Sequence, residues 1–262
     1  MTQLLKTVTA VRYLTPLREG GSLPAVVEVD DGELYVMKFR GAGQGPRALI
    51  AELVAGEIGR ALGLPTPELA FIEMDGALGR SEPDPEIQDL LRASVGLNLG
   101  MRFLPGALAF NPLAKPRPDS WLASSIVWFD AYVTNVDRTP RNVNMLIWER
   151  DLWLIDHGAA LYFHHDWDDY LARSRTPFAF TRQHVLLPLA NDLHAVNESL
   201  RARLTDDLLW TVVAAIPAAW LGDEARFTDA DAHRQAYFDY LRSRREAADI
   251  FVKEAMDARA HL

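Results

Sequence analysis

Phe129-Asp130-Ala131-Tyr132-Val133-Thr134-Asn135-Val136-Asp137-Arg138-Thr139-Pro140-Arg141-Asn142, followed by Leu152-Trp153-Leu154-Ile155-Asp156-His157-Gly158, is the stretch whose reading decides the fold. An Asp stands five residues before an Asn, and an apolar strand then ends in a second Asp and a Gly. Phosphotransfer sites present a catalytic base and two Mg²⁺ ligands in that order. The residue types suit the chemistry. Mg²⁺ takes hard oxygen ligands and keeps several waters, so one carboxylate and one amide suffice beside the substrate phosphates. On this reading Asp137 accepts the acceptor hydroxyl proton, while Asn142 and Asp156 bind metal. Arg138 and Arg141 are either solvated or pair with Asp130, and Arg141, next to the ligand Asn142, would help neutralise the transferring phosphate.

Working outward, Asn144-Met145-Leu146-Ile147-Trp148 and Leu152-Trp153-Leu154-Ile155 read as strands joined by Glu149-Arg150-Asp151, a hairpin whose open end brings Asn142 near Asp156. Upstream, Asn111 to Ser120 is polar and proline-rich and delivers an N-cap to a buried helix from about Trp121 to Val133. Further back, Ala25–Val29 and Leu34–Phe39 flank Asp30-Asp31-Gly32-Glu33, a hairpin signal that puts Lys38 on a strand. Apolar residues at 49, 50, 53, 54, 58 and 62 then recur with helical spacing until Gly63 and Pro65. Leu69–Glu73 and Leu99–Leu104 read as strands, and 81–86 between them as an exposed loop. Residues 1–105 are thus expected to be strand-rich with one helix, and 106–262 mainly helical.

The composition of the 262 residues, 49% hydrophobic and 24% charged, is that of a globular chain with material for a sizeable core. A net charge of -9 gives no footprint for direct nucleic-acid binding. The absence of cysteine excludes disulfides, thiolate metal sites and Cys nucleophiles. No targeting segment is read at the N-terminus, so a cytoplasmic protein is expected. Leu208 to Leu221 is too short, and interrupted by Pro217, for a bilayer span; it reads as a buried helix. The segment from about Asp229 also has helical spacing. His157, His164 and His165 read as loop residues rather than a zinc site.

The loop Gly20-Gly21-Ser22-Leu23-Pro24, Lys38, the helix carrying Glu52 and ending Leu62-Gly63-Leu64-Pro65, the Asn135-x-Asp137 to Asn142 loop and Ile155-Asp156 together resemble the HipA family of kinases, in particular its small single-domain members. The resemblance spans most of residues 15 to 165. It implies an α+β, two-lobed protein-kinase-like fold, with a β-rich N-lobe over 1–105 and a helical C-lobe over 106–262. It also implies ATP and Mg²⁺ as cofactors, a serine or threonine of a protein as acceptor, and an antitoxin-like partner. Gly20, Gly21 and Ser22 would then cover the phosphates, with Ser22 open to autophosphorylation, and Glu52 would hold Lys38. The helical wheel alone puts Glu57 nearer the centre of the apolar stripe, so the two arguments select different glutamates. Thr139 departs from the family pattern, in which His is common. An interaction protein that binds nucleotide without transferring phosphate is the alternative class. The Asn135–Arg138 and Ile155–Gly158 strings are also similar to type II phosphatidylinositol 4-kinases, but no basic amphipathic helix for a membrane is present.

Overall fold

The computed structural model describes residues 5–17, 23–43, 45–78, 83–222 and 224–262. The chain begins with β1 (Thr7–Pro16), β2 (Ala25–Val29) and β3 (Leu34–Lys38), continues through helix α1 (Gly45–Ala61) to β4 (Leu69–Met74), and after α2 (Pro85–Ala93) adds β5 (Gly96–Arg102). These five strands close into a barrel in the order β1-β2-β3-β5-β4, with β4 pairing parallel to β1 to complete the ring. Closure removes the free strand edges that would otherwise template aggregation. The interior is crowded: a Cβ on Gly100 would lie 2.3 Å from Ile72 Cδ1 and 3.1 Å from Tyr35 Cδ1, so only glycine fits there.

Helix α2 corrects the expectation of one helix in residues 1–105. Asp84 caps it by accepting from the Glu86 N–H at 3.0 Å, and Pro85 opens it. Ile87 and Leu91, four apart, bury one face against the barrel core. Pro85 and its acidic neighbours, which signal a loop in the sequence, start a helix instead.

The second half carries β6 (Leu108–Ala109), helix α3 (Ser120–Tyr132), β7 (Met145–Trp148) and β8 (Asp151–Leu154), the last three strands forming a small antiparallel sheet. Asp119 is the N-cap of α3 and accepts from Leu122 N–H at 2.7 Å. Helices α4 (Tyr170–Ser174), α5 (Leu193–Arg203), α6 (Asp206–Ala214), α7 (Ala230–Glu246) and α8 (Ala248–Ala260) follow, with 3₁₀ turns at Tyr162–His165, Ala179–Gln183, Leu187–Leu189 and Ala218–Trp220. The apolar stretch expected as one helix to Leu221 therefore ends at Ala214, before Pro217, because proline cannot continue an α-helix. Among the described residues no helix is long and apolar enough to cross a membrane.

Barrel strands alternate as a half-buried sheet should. Tyr35 and Met37 point into the barrel core, so Lys38, one residue on, leaves by the opposite face. That face meets α1, which is apolar on nearly every side and belongs to the larger core cluster together with α3 and the C-terminal helices. Helix α1 is thereby held between the barrel and the helical half, with Glu52 facing Lys38.

Candidate active site

Glu52 is the glutamate that meets Lys38. Lys38 Nζ lies 2.5 Å from Glu52 Oε2 and 2.5 Å from Asp156 Oδ1, so one ammonium bridges a helix glutamate and the aspartate after β8. Glu57 is also buried but pairs with Arg60 at 3.3 Å on its own helix. Burial alone would discharge Lys38; the two carboxylates outweigh it and hold the ammonium charged, its pKa raised. Burial pushes Glu52 up despite Lys38, whereas Asp156 is held down because Lys38 overcomes its partial desolvation.

Asp156 reaches that place through its backbone. It adopts φ 54°, a left-handed conformation uncommon for an Asp, just past the end of β8. Its side chain keeps 47% exposure while Lys38 keeps 12%, so the carboxylate stands at the open side of the ion pair. Next in chain, the His157 N–H donates to Glu52 Oε2 at 2.8 Å. A Cβ at Gly158 would sit 3.5 Å from Asp156 Oδ1, 3.5 Å from Lys38 Nζ and 3.8 Å from Glu52 Oε2, which makes the Asp-His-Gly turn a close lining of the cluster.

Asp137 sits half-buried in the loop after α3, and two amides converge on its Oδ2: Asn142 Nδ2 at 2.6 Å and Asn144 Nδ2 at 3.3 Å. Asn142 spends its N–H₂ on Asp137 and so has its amide oxygen left for a cation. Thr139 pins the turn between them, exchanging backbone hydrogen bonds with Asn142 at 3.0 and 3.1 Å and accepting from Asn142 N–H on its hydroxyl at 3.3 Å. Asn144, which the sequence reading passed over as a strand residue, has φ 47° and is buried. A polar amide at the mouth of an apolar strand was the signal available for it.

Arg138 ties these pieces together. Its side chain is fully buried, with Nε donating to Asp130 Oδ2 at 2.6 Å, Nη1 to the Asn144 carbonyl and, at 3.5 Å, to the Ile155 carbonyl, and Nη2 to His157 Nδ1 at 3.3 Å. Of the two states open to it, solvated or paired with Asp130, the guanidinium takes the second. Asp130 in turn accepts from Asn135 Nδ2 at 2.9 Å and from His184 Nε2 at 2.8 Å, while Asn135 Oδ1 accepts the Asp137 N–H at 3.1 Å. Burial would raise the Asp130 pKa, but Arg138 and His184 overcome it and hold the carboxyl well below the usual range. His157, buried and next to Arg138, is pushed down to about 3 and is neutral at any working pH. His184 lies far along the chain and had no sequence signal.

Of the remaining expected site residues, Arg141 is exposed and lines a cavity together with Thr139 and Pro140 of the Asp137 loop. Gly20, Gly21 and Ser22 lie outside the described residues. His164 is buried with Nδ1 on Tyr237 Oη at 3.0 Å, and no group of three or more His, Cys, Asp or Glu able to hold a metal occurs among the described residues.

The donor set fits a hard divalent cation. Lys38 is one positive charge against Glu52 and Asp156, Asp156 keeps a half-exposed carboxylate, and Glu52 Oε1 is buried with no hydrogen-bond partner. The cluster is acid-rich, and oxygen-only ligands of this kind suit Mg²⁺ or Mn²⁺ over softer metals.

A family model described as HipA-like kinase matches residues 10–250. The chain belongs to the HipA-like kinase family. This HipA-like kinase also resembles solved kinases in fold. The Helicobacter pylori proinflammatory kinase CtkA is 14% identical with a TM-score of 0.59, covering 93% of this chain and 94% of that one. The Golgi casein kinase with Mn/ADP bound is 13% identical with a TM-score of 0.51, covering 97% of this chain and 73% of that one. Identities this low carry the fold alone. Among curated proteins no sequence match reaches significance. Family and fold together make the protein a kinase.

Proposed function

We propose that the protein is an ATP- and Mg²⁺-dependent kinase that transfers the γ-phosphate to a serine or threonine hydroxyl of a protein. The observation that carries this reading is the placement of Lys38 between Glu52 and Asp156, with the Asp137–Asn142 pair presented by the neighbouring loop. An interaction protein without turnover has no need to keep all five groups. A structural neighbour solved with Mn/ADP bound supports the use of nucleotide and a divalent metal.

The barrel half, residues 1–105, and the helical half, 106–262, act in this reading as two lobes around the nucleotide, and Gly20, Gly21 and Ser22 as the loop over its phosphates. Asn142 and Asp156 would hold Mg²⁺, which when bound neutralises phosphate charge and orients the transferring group. Lys38 would pair with the phosphates, kept in line by Glu52, whose Oε2 is itself fixed by the His157 N–H. Asp137, fixed by two amides, accepts the acceptor proton and aims the hydroxyl. Arg138 keeps the segments bearing Asp137 and Asp156 in register, since it grips the carbonyls of both Asn144 and Ile155.

The test is γ-phosphate transfer from labelled ATP with Mg²⁺ or Mn²⁺, to lysate proteins and to the protein itself, followed by phosphosite mapping. Transfer lost in Lys38→Met supports the reading. Absence of nucleotide binding by calorimetry at millimolar ATP and metal, in folded protein, would remove it.

A further inference from the structure

Beside the Asp137 loop lies a cavity of about 460 Å³ whose walls come from two distant stretches: Thr139, Pro140 and Arg141 on one side, and Arg182 to Val185 with Leu187 and Pro188 on the other. Leu262 closes one edge. The first stretch begins two residues after the proposed catalytic base, and the Thr139 N–H donates to the Asp137 carbonyl at 3.0 Å.

The second stretch is latched to the same loop at two points. The Val185 N–H donates to the Arg138 carbonyl at 3.1 Å, and His184 Nε2 to Asp130 Oδ2 at 2.8 Å, the oxygen that also holds Arg138. His184 Nδ1 accepts the Leu186 N–H at 3.0 Å, which fixes the proton on Nε2 and turns the chain toward the cavity. A loop that only covered the core would not need its one buried histidine committed to the aspartate under Arg138. The latch holds the far wall in fixed register with Asp137.

Floor and mouth differ in chemistry. Val185 and Leu187 are buried and make the floor apolar, and the exposed Pro140 and Pro188 add apolar wall. The mouth carries two guanidiniums. Arg141 is exposed and makes no ion pair or hydrogen bond with described residues. Arg182 is 67% exposed and is steered by Glu254, whose Oε1 accepts Nε and lies 3.0 Å from Nη2, leaving Nη1 turned free. On a chain of net charge -9, an unpaired arginine and a steered one at a single opening form a local positive site.

We propose that this cavity is the acceptor subsite and that it recognises an acidic peptide segment, with a carboxylate or phosphorylated side chain at Arg141 and Arg182 and an apolar side chain on the Val185–Leu187 floor. The proposal rests on the phosphotransfer reading of Asp137 and gives Arg141 an acceptor rather than a phosphate-neutralising role. An acidic residue close to the phosphorylated hydroxyl is thereby selected by charge and by the fixed distance from Asp137 to the cavity wall.

The experiment measures binding and transfer separately. Fluorescent serine peptides, alike except for Glu, Ala or Lys flanking the serine, are titrated onto Asp137→Asn protein by polarisation, and their kcat/KM is measured with the unaltered protein and MgATP. The Glu peptide should bind about three- to ten-fold more tightly than the Ala peptide, the gain that partly exposed charge-assisted contacts supply. Arg141→Gln and Arg182→Gln should each cut that ratio, and Arg141→Glu should turn it toward the Lys peptide, all with the melting temperature of their parent. Transfer without acidic preference overturns the subsite, as does an Arg141→Gln variant that loses turnover equally on every peptide with a raised KM for ATP. Absence of transfer to any acceptor, with or without peptide binding, overturns the phosphotransfer reading itself.

Discussion

Asp130→Asn tests whether the buried network under the Asp137 loop holds the site together. The substitution keeps the shape of the side chain but removes the charge that faces Arg138 Nε at 2.6 Å and His184 Nε2 at 2.8 Å, both on Oδ2, and turns an acceptor into a donor against either that pair or Asn135 Nδ2 on Oδ1. Arg138 has no route to water, being fully buried. Leaving a buried charge without its partner costs about 3–5 kcal/mol. With an unfolding entropy of about 2.1 cal/mol/K per residue over 262 residues, roughly 0.55 kcal/mol/K, that cost lowers the melting temperature by about 5–9 °C. Differential scanning calorimetry and urea denaturation measure it. The dependence on acid follows from the depressed Asp130 pKa: its stabilisation is present above the unfolded carboxylate value and is lost as pH falls below about 4, so the variant should show a shallower acid slope than the parent. Adding Arg138→Met should recover part of the loss, since removing both charges avoids an unpaired one. A loss under about 1 kcal/mol, or strict additivity of the two changes, would refute the view that this pair is the keystone of the loop.

Asp137→Asn should keep nucleotide affinity and the fold but lower transfer by about 10²- to 10⁴-fold, whereas Asp156→Asn should also lose Mg²⁺-dependent nucleotide binding; calorimetry with single-turnover transfer separates the two, and equal behaviour of both variants would contradict the division of roles. MgATP at 100 times its dissociation constant should stabilise the protein by about 2.7 kcal/mol, readable as a thermal shift that chelation by EDTA removes, and a shift indifferent to EDTA would deny the metal. His157 and His164 are buried and neutral, both held below the ordinary histidine range by burial, so the unfolded chain takes up protons that the folded one refuses; stability by urea titration should fall from pH 6.5 downward by up to about 1.4 kcal/mol per pH unit for each, and a flat profile between pH 6.5 and 4.5 would exclude it. Gly100→Ala should cost about 1–3 kcal/mol by overpacking the barrel against Ile72 and Tyr35, and a neutral result would mean the barrel is looser than its contacts indicate.

What could be read in advance divides along a physical line. The β2–β3 hairpin, helix α1, helix α3 and the β7–β8 hairpin are local structures, each announced by period, turn chemistry or cap within a dozen residues, and they carry Lys38 and Glu52 or flank the loops that bear Asp137 and Asp156. Barrel closure was not legible, because the parallel pairing of β1 with β4 joins Thr7–Thr9 to Phe71–Glu73 across more than sixty residues and leaves no trace in the local pattern of either strand. Helix α2 was hidden by signals with two meanings, since Asp84-Pro85 opens a loop or a helix equally well until Ile87 and Leu91 find a core to bury against.

The same line runs through the site. Glu52 and Glu57 could not be separated by the wheel because α1 is buried on nearly every side, so amphipathicity, the usual guide to which face looks inward, is absent from it. Geometry separates them: Lys38 leaves the barrel on the face that looks at Glu52, and Arg60 one turn further on occupies Glu57. The network beneath the loop shows a further limit. Asp130, Asn135 and Arg138 stand within nine residues and could be suspected together, but the residue that completes them, His184, comes 46 residues beyond Arg138, just past a 3₁₀ turn, with no periodicity of its own. A buried arginine next to Asp137 must nonetheless find acceptors for its donors. That requirement is itself a sequence-level inference: once Arg138 is placed inside, the chain has to supply carbonyls and a carboxylate around it, and the segments that supply them, at Asn144, Ile155 and Asp130, are the ones that carry the rest of the site.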